Sequence, residues 1–402
     1  MTDNIQAATA GAPQPLPASG APLRRLPISF TGSGSEYFRI WIVNLLLCLL
    51  TLGLYLPFAK ARRLRYFYAN TRIDGQALSF HGNPWRMFRG FMLLVVLMGA
   101  YAVAGRFSPL AGLIAFGILC AVWPALWRAS LQFRLGNTGW RGLRMGFRGD
   151  LTSAYKAVLP FYLPSIIMVL AQVAFGPDLT ADPAQQDAKA QALWFGLSAG
   201  LSVLAMLLLF PLALARVKRY QHDGYVYANQ RSQLSVPTRC FYGLGLKGLL
   251  LSLLPIVLTG ILAAVLLPLA KSRPDLQGIA FGLLAALLIL AYLLMFIIAA
   301  PYFTARLQNL VWGGTHSAEL QFESSLKFRS LAWLTAKNWT LTLLTLGLYR
   351  PFAAINTARL RLDAMGLNLN GDMDAWVAER SGAAADATGE AAGDFFGFDM
   401  GL

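Results

Sequence analysis

Histidine and cysteine are the side chains in this sequence best suited to hold a metal ion or to act as a base or nucleophile. No histidine belongs to a His-x3-His or carboxylate–histidine pair, and the cysteine spacing fits neither a zinc site nor a disulfide framework. We interpret the histidines as solvated loop residues and the cysteines as small core residues, with a shared histidine metal site as the alternative. The residues are His81, His222 and His316, and Cys48, Cys120 and Cys240.

Signatures of known catalytic and nucleotide-binding sites do not occur either. The sequence has no Gly-x-Ser-x-Gly elbow, no His-Glu-x2-His helix and no Walker sequence. The glycine-rich segment 32–35 lacks the Lys-Ser/Thr pair of a phosphate loop, whereas Ser33 and Glu36 have the spacing of a helix capping box. We therefore expect a non-enzymatic protein without a cofactor.

The apolar composition indicates a membrane protein. Of 402 residues, 56% are hydrophobic and only 13% are charged, which lies outside the range of soluble globular chains. Five of six apolar runs are near or above the roughly 20 residues that a helix needs to cross a hydrocarbon core, and the shorter run 91–105 is long enough if Arg89 and Arg106 at its ends reach the two interfaces. The runs are 91–105, 107–127, 157–176, 190–215, 248–270 and 276–305.

Basic residues alternate between the connections if these runs form three hairpins. One set of connections holds most of the lysines and arginines, and the positive-inside rule places that set, with both termini, in the cytoplasm. The net charge of +15 then attracts anionic lipid, by about 1 kcal/mol for each basic residue. We expect lipid headgroups rather than nucleic acid as partners. The arginines expected at the headgroups are Arg62, Arg63, Arg65, Arg128, Arg216 and Arg306.

A self-match between two distant segments is the strongest pattern in the chain. The sequence Asn-x6-Thr-Leu-Gly-Leu-Tyr-x-Pro-Phe-Ala occurs at 44–59 and again at 338–353. Basic residues follow both copies, so both should end on the cytoplasmic side, which two full crossings do not allow. In the second copy, only twelve uncharged residues separate Lys337 from Arg350, too few to span the membrane.

These patterns predict an all-α integral membrane bundle with six spanning helices and two re-entrant elements; eight spans are the alternative. Non-helical backbone at membrane depth needs protein or water around it, so we expect the re-entrant elements in the interior of the bundle. The polar and turn residues there are candidates for lining a pore. They are Asn44, Thr51, Gly53, Asn338, Thr345 and Gly347.

Short β segments are predicted between the helices, on the cytoplasmic side. The segments 70–82 and 137–149 match each other, alternate like strands and end in Phe-x-Gly. The composition places disordered tails at 1–29 and 366–402, the second of them acidic, around a membrane domain of 30–365.

Three segments together resemble the YjgN family of bacterial inner-membrane proteins. They are 30–44 (Phe-Thr-Gly-Ser-Gly-Ser-Glu-Tyr-Phe-Arg-Ile-Trp-Ile-Val-Asn), 51–55 (Thr-Leu-Gly-Leu-Tyr) and 60–72 (Lys-Ala-Arg-Arg-Leu-Arg-Tyr-Phe-Tyr-Ala-Asn-Thr-Arg). The resemblance covers about 30–365 and implies a location in the inner membrane. It implies no reaction, because the family is built around a domain of unknown function. The second copy of the repeat departs from the pattern, since 354–357 read Ala-Ile-Asn-Thr where 60–63 read Lys-Ala-Arg-Arg, which predicts weaker headgroup contacts.

Two hypotheses of function follow. Paired re-entrant elements are typical of a channel or carrier for a small solute, although the apolar runs contain no Asp or Glu for an ion relay. The alternative is a non-catalytic envelope protein that organises lipids or partner proteins through its basic cytoplasmic face. Membrane-embedded catalysis is a third hypothesis, and neither a substrate nor an oligomeric state is specified by the sequence.

Overall fold

The computed structural model describes residues 23–175, 188–228, 230–273, 275, 277–370 and 377–378. These residues divide into two compact units. The first unit holds the described residues up to Ser79 and those from Ser235 to Asn370, and the second holds Phe80–Leu234.

The elements follow one another as helical hairpins separated by short strands. The first unit begins with β1 (Leu23–Phe30), α1 (Gly34–Leu50), α2 (Leu56–Ala69), β2 (Thr71–Ile73) and β3 (Gln76–Ala77). Strand β4 (Ser79–Phe80) lies at the division between the two units. The second unit continues with α3 (Pro84–Phe107), α4 (Pro109–Gly136), β5 (Thr138–Trp140), β6 (Leu143–Phe147), α5 (Leu151–Phe175), α6 (Ala188–Asp223), β7 (Tyr225–Tyr227), β8 (Gln230–Arg231) and β9 (Gln233–Leu234). The first unit resumes with α7 (Thr238–Ser272), α8 (Gln277–Leu294), a π-helical turn (Met295–Ala299), α9 (Ala300–Gly313), β10 (Thr315–His316), β11 (Leu320–Ser324), α10 (Phe328–Leu344), α11 (Arg350–Asp363) and β12 (Met365–Asn370).

Six helical stretches of the described chain are long and apolar enough to span a membrane. They are Pro84–Phe107, Leu110–Gly136, Leu151–Ala171, Ala192–Asp223, Thr238–Pro268 and Gln277–Gly313. The predicted bundle of six spanning helices is therefore confirmed. The helices α1 and α10 have 17 residues each and are not among the six.

The first unit contains an antiparallel sheet whose strand order within the unit is β3-β2-β1-β12-β11-β10. In the centre, Leu26 of β1 and Phe322 of β11 both pair with Leu367 of β12. Leu26, Leu367 and Leu369 are buried, and along β1 the buried residues Leu26, Ile28 and Phe30 alternate with exposed ones. The strands β1, β2 and β12 directly flank the hairpins α1–α2 and α10–α11, so both hairpins start from one sheet.

This sheet corrects the boundaries that composition placed at the tails. Strand β1 occupies most of the stretch 23–29, and β12 continues to Asn370. The two stretches pair with each other. The backbone N–H and C=O groups of each strand therefore find partners in the other strand, which the composition of either stretch alone does not reveal. The remainder of the expected tails, 1–22 and 371–402, lies outside the described residues except for 377–378.

The second unit pairs the hairpins α3–α4 and α5–α6 with a five-stranded sheet of order β4-β5-β6-β7-β8. Its core joins Leu131, Phe147 and Tyr220, and the rings of Phe147 and Tyr220 are 5.4 Å apart. A Cβ atom on Gly149 would lie 2.6 Å from the Phe147 ring. The Phe-x-Gly pattern therefore lets the ring fold over the backbone two residues later.

Candidate functional site

The two copies of the sequence repeat form two similar helical hairpins in the first unit. Helices α1 and α2 have 17 and 14 residues, and α10 and α11 have the same lengths. At 1.5 Å per residue, α1 and α10 are each about 25 Å long, shorter than a hydrocarbon core of about 30 Å. Both hairpins therefore have the length of elements that enter a membrane without crossing it.

The turn of the first hairpin satisfies its own backbone donors. Each N–H from residue 51 to residue 56 donates to an oxygen of the hairpin at 2.7–3.2 Å, and residue 57 is a proline without an N–H. The N–H groups of residues 52 and 53 bond to the carbonyls of 49 and 48, which is a Schellman motif. The Oγ1 of Thr51 accepts the N–H of Tyr55 at 3.0 Å and donates to the Leu47 carbonyl at 2.7 Å.

The turn of the second hairpin repeats these bonds one for one. Each N–H from residue 345 to residue 350 donates within the hairpin at 2.7–3.1 Å, and Pro351 follows. Thr345 again supplies the acceptor for the tyrosine N–H, at 2.9 Å, and Gly53 and Gly347 have φ of 90° and 93°. Thr51, Thr345 and these glycines, predicted as pore-lining residues, thus close the turns. Backbone donors satisfied in this way need neither water nor protein partners.

A leucine stands in each turn where a helix end usually has glycine. Leu52 and Leu346 each have φ of 50°, in the left-handed region that costs a side chain about 1–2 kcal/mol. Both side chains are 95% exposed. These leucines are not among the predicted site residues, although the order Leu-Gly after the threonine in both copies was a signal. The tip of each hairpin therefore presents an exposed leucine on strained backbone.

The asparagines of the repeat lie inside their own hairpins. Asn44 and Asn338 are 7% and 6% exposed. The Oδ1 of Asn44 accepts a bond from Arg62 at 3.5 Å, and Asn338 donates to the Ala353 carbonyl at 3.3 Å and to Thr357 Oγ1 at 3.2 Å. Each asparagine therefore ties the outgoing helix of its hairpin to the returning one.

The expectation that the re-entrant elements lie in the interior of the bundle is wrong for their tips. Leu50 and Leu344 are 80% and 74% exposed, and the neighbouring Leu52 and Leu346 are both 95% exposed. The physical reason is the closure of the backbone within each turn, which removes the need for surrounding protein.

The two hairpins pack on each other through α1 and α11. The rings of Phe38 and Phe352 are 5.8 Å apart, and a Cβ atom on Gly34 would lie 2.3 Å from the Phe352 ring. Ile355 of α11 is buried with Tyr37 of α1. The predicted capping of α1 is confirmed, since Ser33 Oγ accepts the N–H of Glu36. The hairpins are therefore one paired structure rather than two separate ones.

Comparison with known proteins identifies the family. The family model described as "Bacterial protein of unknown function (DUF898)" matches residues 25–395. The chain belongs to the DUF898 family. The protein named "Inner membrane protein YjgN" of Salmonella typhimurium is 24% identical over 338 residues, covering 81% of this chain and 84% of that protein. The protein of the same name from Escherichia coli O157:H7 is 30% identical over 143 residues, 35% of each chain. No solved structure matches the chain.

The arginines of this DUF898 protein occupy different environments. Arg62, Arg63 and Arg65 are exposed along α2, and Arg62 and Arg63 lie over the rings of Tyr55 and Phe67 at 5.5 and 5.6 Å. The other three contact their own units: Arg128 donates to the Gly149 carbonyl at 2.7 Å, Arg216 to the Lys156 carbonyl at 3.5 Å, and Arg306 lies 5.8 Å from the Tyr302 ring.

The histidines of the DUF898 chain are spread over different elements. Within the described ranges, no three His, Cys, Asp or Glu side chains are grouped so as to hold a metal ion. His222 is only 3% exposed, which corrects its interpretation as a solvated residue, because it lies in the last turn of α6 with the Tyr225 ring 4.9 Å away.

Replacing Thr345 by valine is expected to open the second turn. Valine has nearly the same shape but no acceptor, so the N–H of Tyr349 loses its partner, at a cost of about 1–3 kcal/mol when water is excluded. We expect faster amide hydrogen exchange in the peptide covering the turn. Thr340→Val is the matched control, because the Thr340 hydroxyl donates to the Ala336 carbonyl of its own helix and accepts no backbone N–H from the described residues. Equal exchange in both variants would contradict the role of Thr345.

Proposed function

We propose that the protein is a non-catalytic membrane protein that inserts its paired hairpins into the cytoplasmic leaflet and organises the lipids there. The observation that carries this proposal is the turn of each hairpin, which satisfies its own backbone donors while presenting a strained, exposed leucine. An exposed leucine on strained backbone gains no free energy in water, whereas its side chain gains free energy on transfer into hydrocarbon.

The free energies support insertion of the tips. Left-handed backbone costs each of Leu52 and Leu346 about 1–2 kcal/mol, and transfer of one leucine side chain into hydrocarbon contributes about 1.5–3 kcal/mol. The strain belongs to the closed turn in water and in the membrane alike, so it cancels on insertion and the transfer of each leucine favours insertion. The helical leucines beside them, Leu50 and Leu344, are exposed without this strain, so their transfer adds a net gain.

The basic returning helix α2 supports the choice of leaflet. Arg62, Arg63 and Arg65 are exposed on it, within a few turns of the tip. Anionic lipid of the cytoplasmic leaflet attracts each such residue by about 1 kcal/mol. A hairpin that enters this leaflet therefore gathers anionic lipid around α2.

A channel or carrier for a small solute is the second candidate. The observation in its favour is the Oδ1 of Asn338, which is buried and accepts no hydrogen bond within the described residues. A solute or water passing this atom would supply the missing donor.

Vesicles that contain the full chain and a fluorescent phosphatidylglycerol test the two candidates together. We expect the protein to cluster the anionic lipid and so increase self-quenching of its fluorescence. Leu52→Gly with Leu346→Gly should weaken this effect while the turns stay closed, because glycine adopts the left-handed conformation without strain. Clustering by the variant equal to that of the parent would refute the proposal. Small-solute uptake that Asn338→Leu abolishes would establish transport in its place.

A further inference from the structure

A cleft of about 350 Å³ opens between α4, α5 and α6 of the second unit. Aromatic side chains form much of its wall, and polar groups lie at one end. The aromatic residues are Trp123, Trp127, Phe161 and Tyr162, and the polar ones include Arg134 and Gln221. Pockets of this size bury a small ligand or a large part of a bigger one.

The cleft is polarised along the helices. Arg134 and Gln221 lie two residues before the ends of α4 and α6. Trp123 precedes Arg134 by 11 residues, about 16 Å along the helix axis, and so lies farther from the helix end. Tyr162 donates its hydroxyl to the Cys120 carbonyl at 3.0 Å, so its polar group is already satisfied. One end therefore suits an anion and the other suits hydrocarbon.

The polar end holds donors that the protein itself does not use. Arg134 is half-buried, and no hydrogen bond or ion pair joins its guanidinium to another of the described residues. Lys218 Nζ donates to Gln221 Oε1 at 3.2 Å, which leaves the amide NH2 of Gln221 as a donor. A guanidinium fork with an adjacent amide matches the oxygens of a phosphate.

We propose that this cleft binds one phosphate-bearing amphiphile, with its phosphate at Arg134 and Gln221 and its hydrocarbon along Trp123 and Phe161. The aromatic wall is the reason for choosing an amphiphile over a free phosphate. This site is in the second unit and does not include the hairpins of the first. The proposed lipid organisation and this binding site can therefore be tested independently.

Native mass spectrometry of the full chain in detergent, titrated with phosphatidylglycerol, tests the site. Arg134→Gln should weaken binding of the first lipid molecule about tenfold or more, since a charge-assisted bond to phosphate is lost. Arg144→Gln is the matched control, because it removes the same charge from an exposed position on β6. Gln221→Leu, which keeps the guanidinium, should weaken binding severalfold and covers the case in which Arg134→Gln does not fold.

Three results would overturn the proposal. Equal loss in Arg134→Gln and Arg144→Gln would show general electrostatic attraction. Equal affinity for a neutral diacylglycerol would show that the phosphate is not recognised. Competition by inorganic phosphate at the affinity of the lipid would identify a free-phosphate site.

Discussion

Replacement of Leu346 by aspartate is expected to drive the tip of the hairpin α10–α11 out of the membrane. Aspartate tolerates the left-handed backbone of this position better than leucine does, so the turn itself should stay closed. A carboxylate near the bilayer centre costs about 2.5–3.5 kcal/mol on insertion scales, and the favourable transfer of the leucine is lost as well. We expect the inserted population to fall about a hundredfold or more.

The position of the tip is measured by thiol labelling. A single cysteine replaces Leu348 in a background where Cys48, Cys120 and Cys240 are serine, and a membrane-impermeant maleimide is added to inverted vesicles. The parent should be protected, and Leu346→Asp should react rapidly. Leu346→Asn is the control that keeps the backbone preference without the charge. Rapid labelling of the parent would place the tip in water and contradict insertion.

The two hairpins should respond unequally to the same change. Lys60, Arg62 and Arg63 follow the first turn, whereas the corresponding positions of the second copy are Ala354, Asn356 and Thr357. Since each basic residue near anionic lipid contributes about 1 kcal/mol, Leu52→Asp should release its hairpin less completely than Leu346→Asp. This comparison tests the weaker headgroup contact that the sequence predicts for the second copy.

Replacing Asn309 by leucine is expected to destabilise the first unit strongly. Asn309 Oδ1 accepts bonds from the Ser324 hydroxyl and the Leu326 N–H, both at 2.8 Å, and its Nδ2 donates to the Leu326 carbonyl at 3.0 Å. Leu326 is 4% exposed. Leucine would leave both backbone groups of Leu326 unsatisfied, at about 1–3 kcal/mol each, so we expect a total loss of roughly 2–6 kcal/mol.

Unfolding of the purified protein in mixed micelles gives this free energy. Asn309→Asp should lose less, because its carboxylate still accepts the Ser324 and Leu326 bonds. Asn356→Leu is the control on α11, where the asparagine donates a single bond to Tyr349 at 3.2 Å, worth about 1 kcal/mol. A loss at Asn309→Leu no larger than this control would show that the bonds of Asn309 to Ser324 and Leu326 do not stabilise the first unit.

The sequence predicted the features whose physical causes are local. Apolar runs predicted six spanning helices, because the length of a helix and its composition decide whether it can cross hydrocarbon. Ser33 and Glu36 predicted the start of α1, because capping joins residues three positions apart. The repeat predicted the turns at Gly53 and Gly347, because the bonds that close each turn also join residues that are close in sequence. The functions of Asn44 and Asn338 were not predictable, since the same amide can face a pore or a neighbouring helix.

What the sequence alone determined is the class of the protein and its repeated turn, because every bond that closes the turn joins residues at most five positions apart. The contacts between distant segments are known only from the folded chain. It pairs β1 with β12 across almost the whole chain, seats Phe38 on Phe352, and lets Asn309 hold Leu326. These contacts form between segments that no local pattern relates, and they turn two short hairpins into one paired structure with its leucine tips exposed.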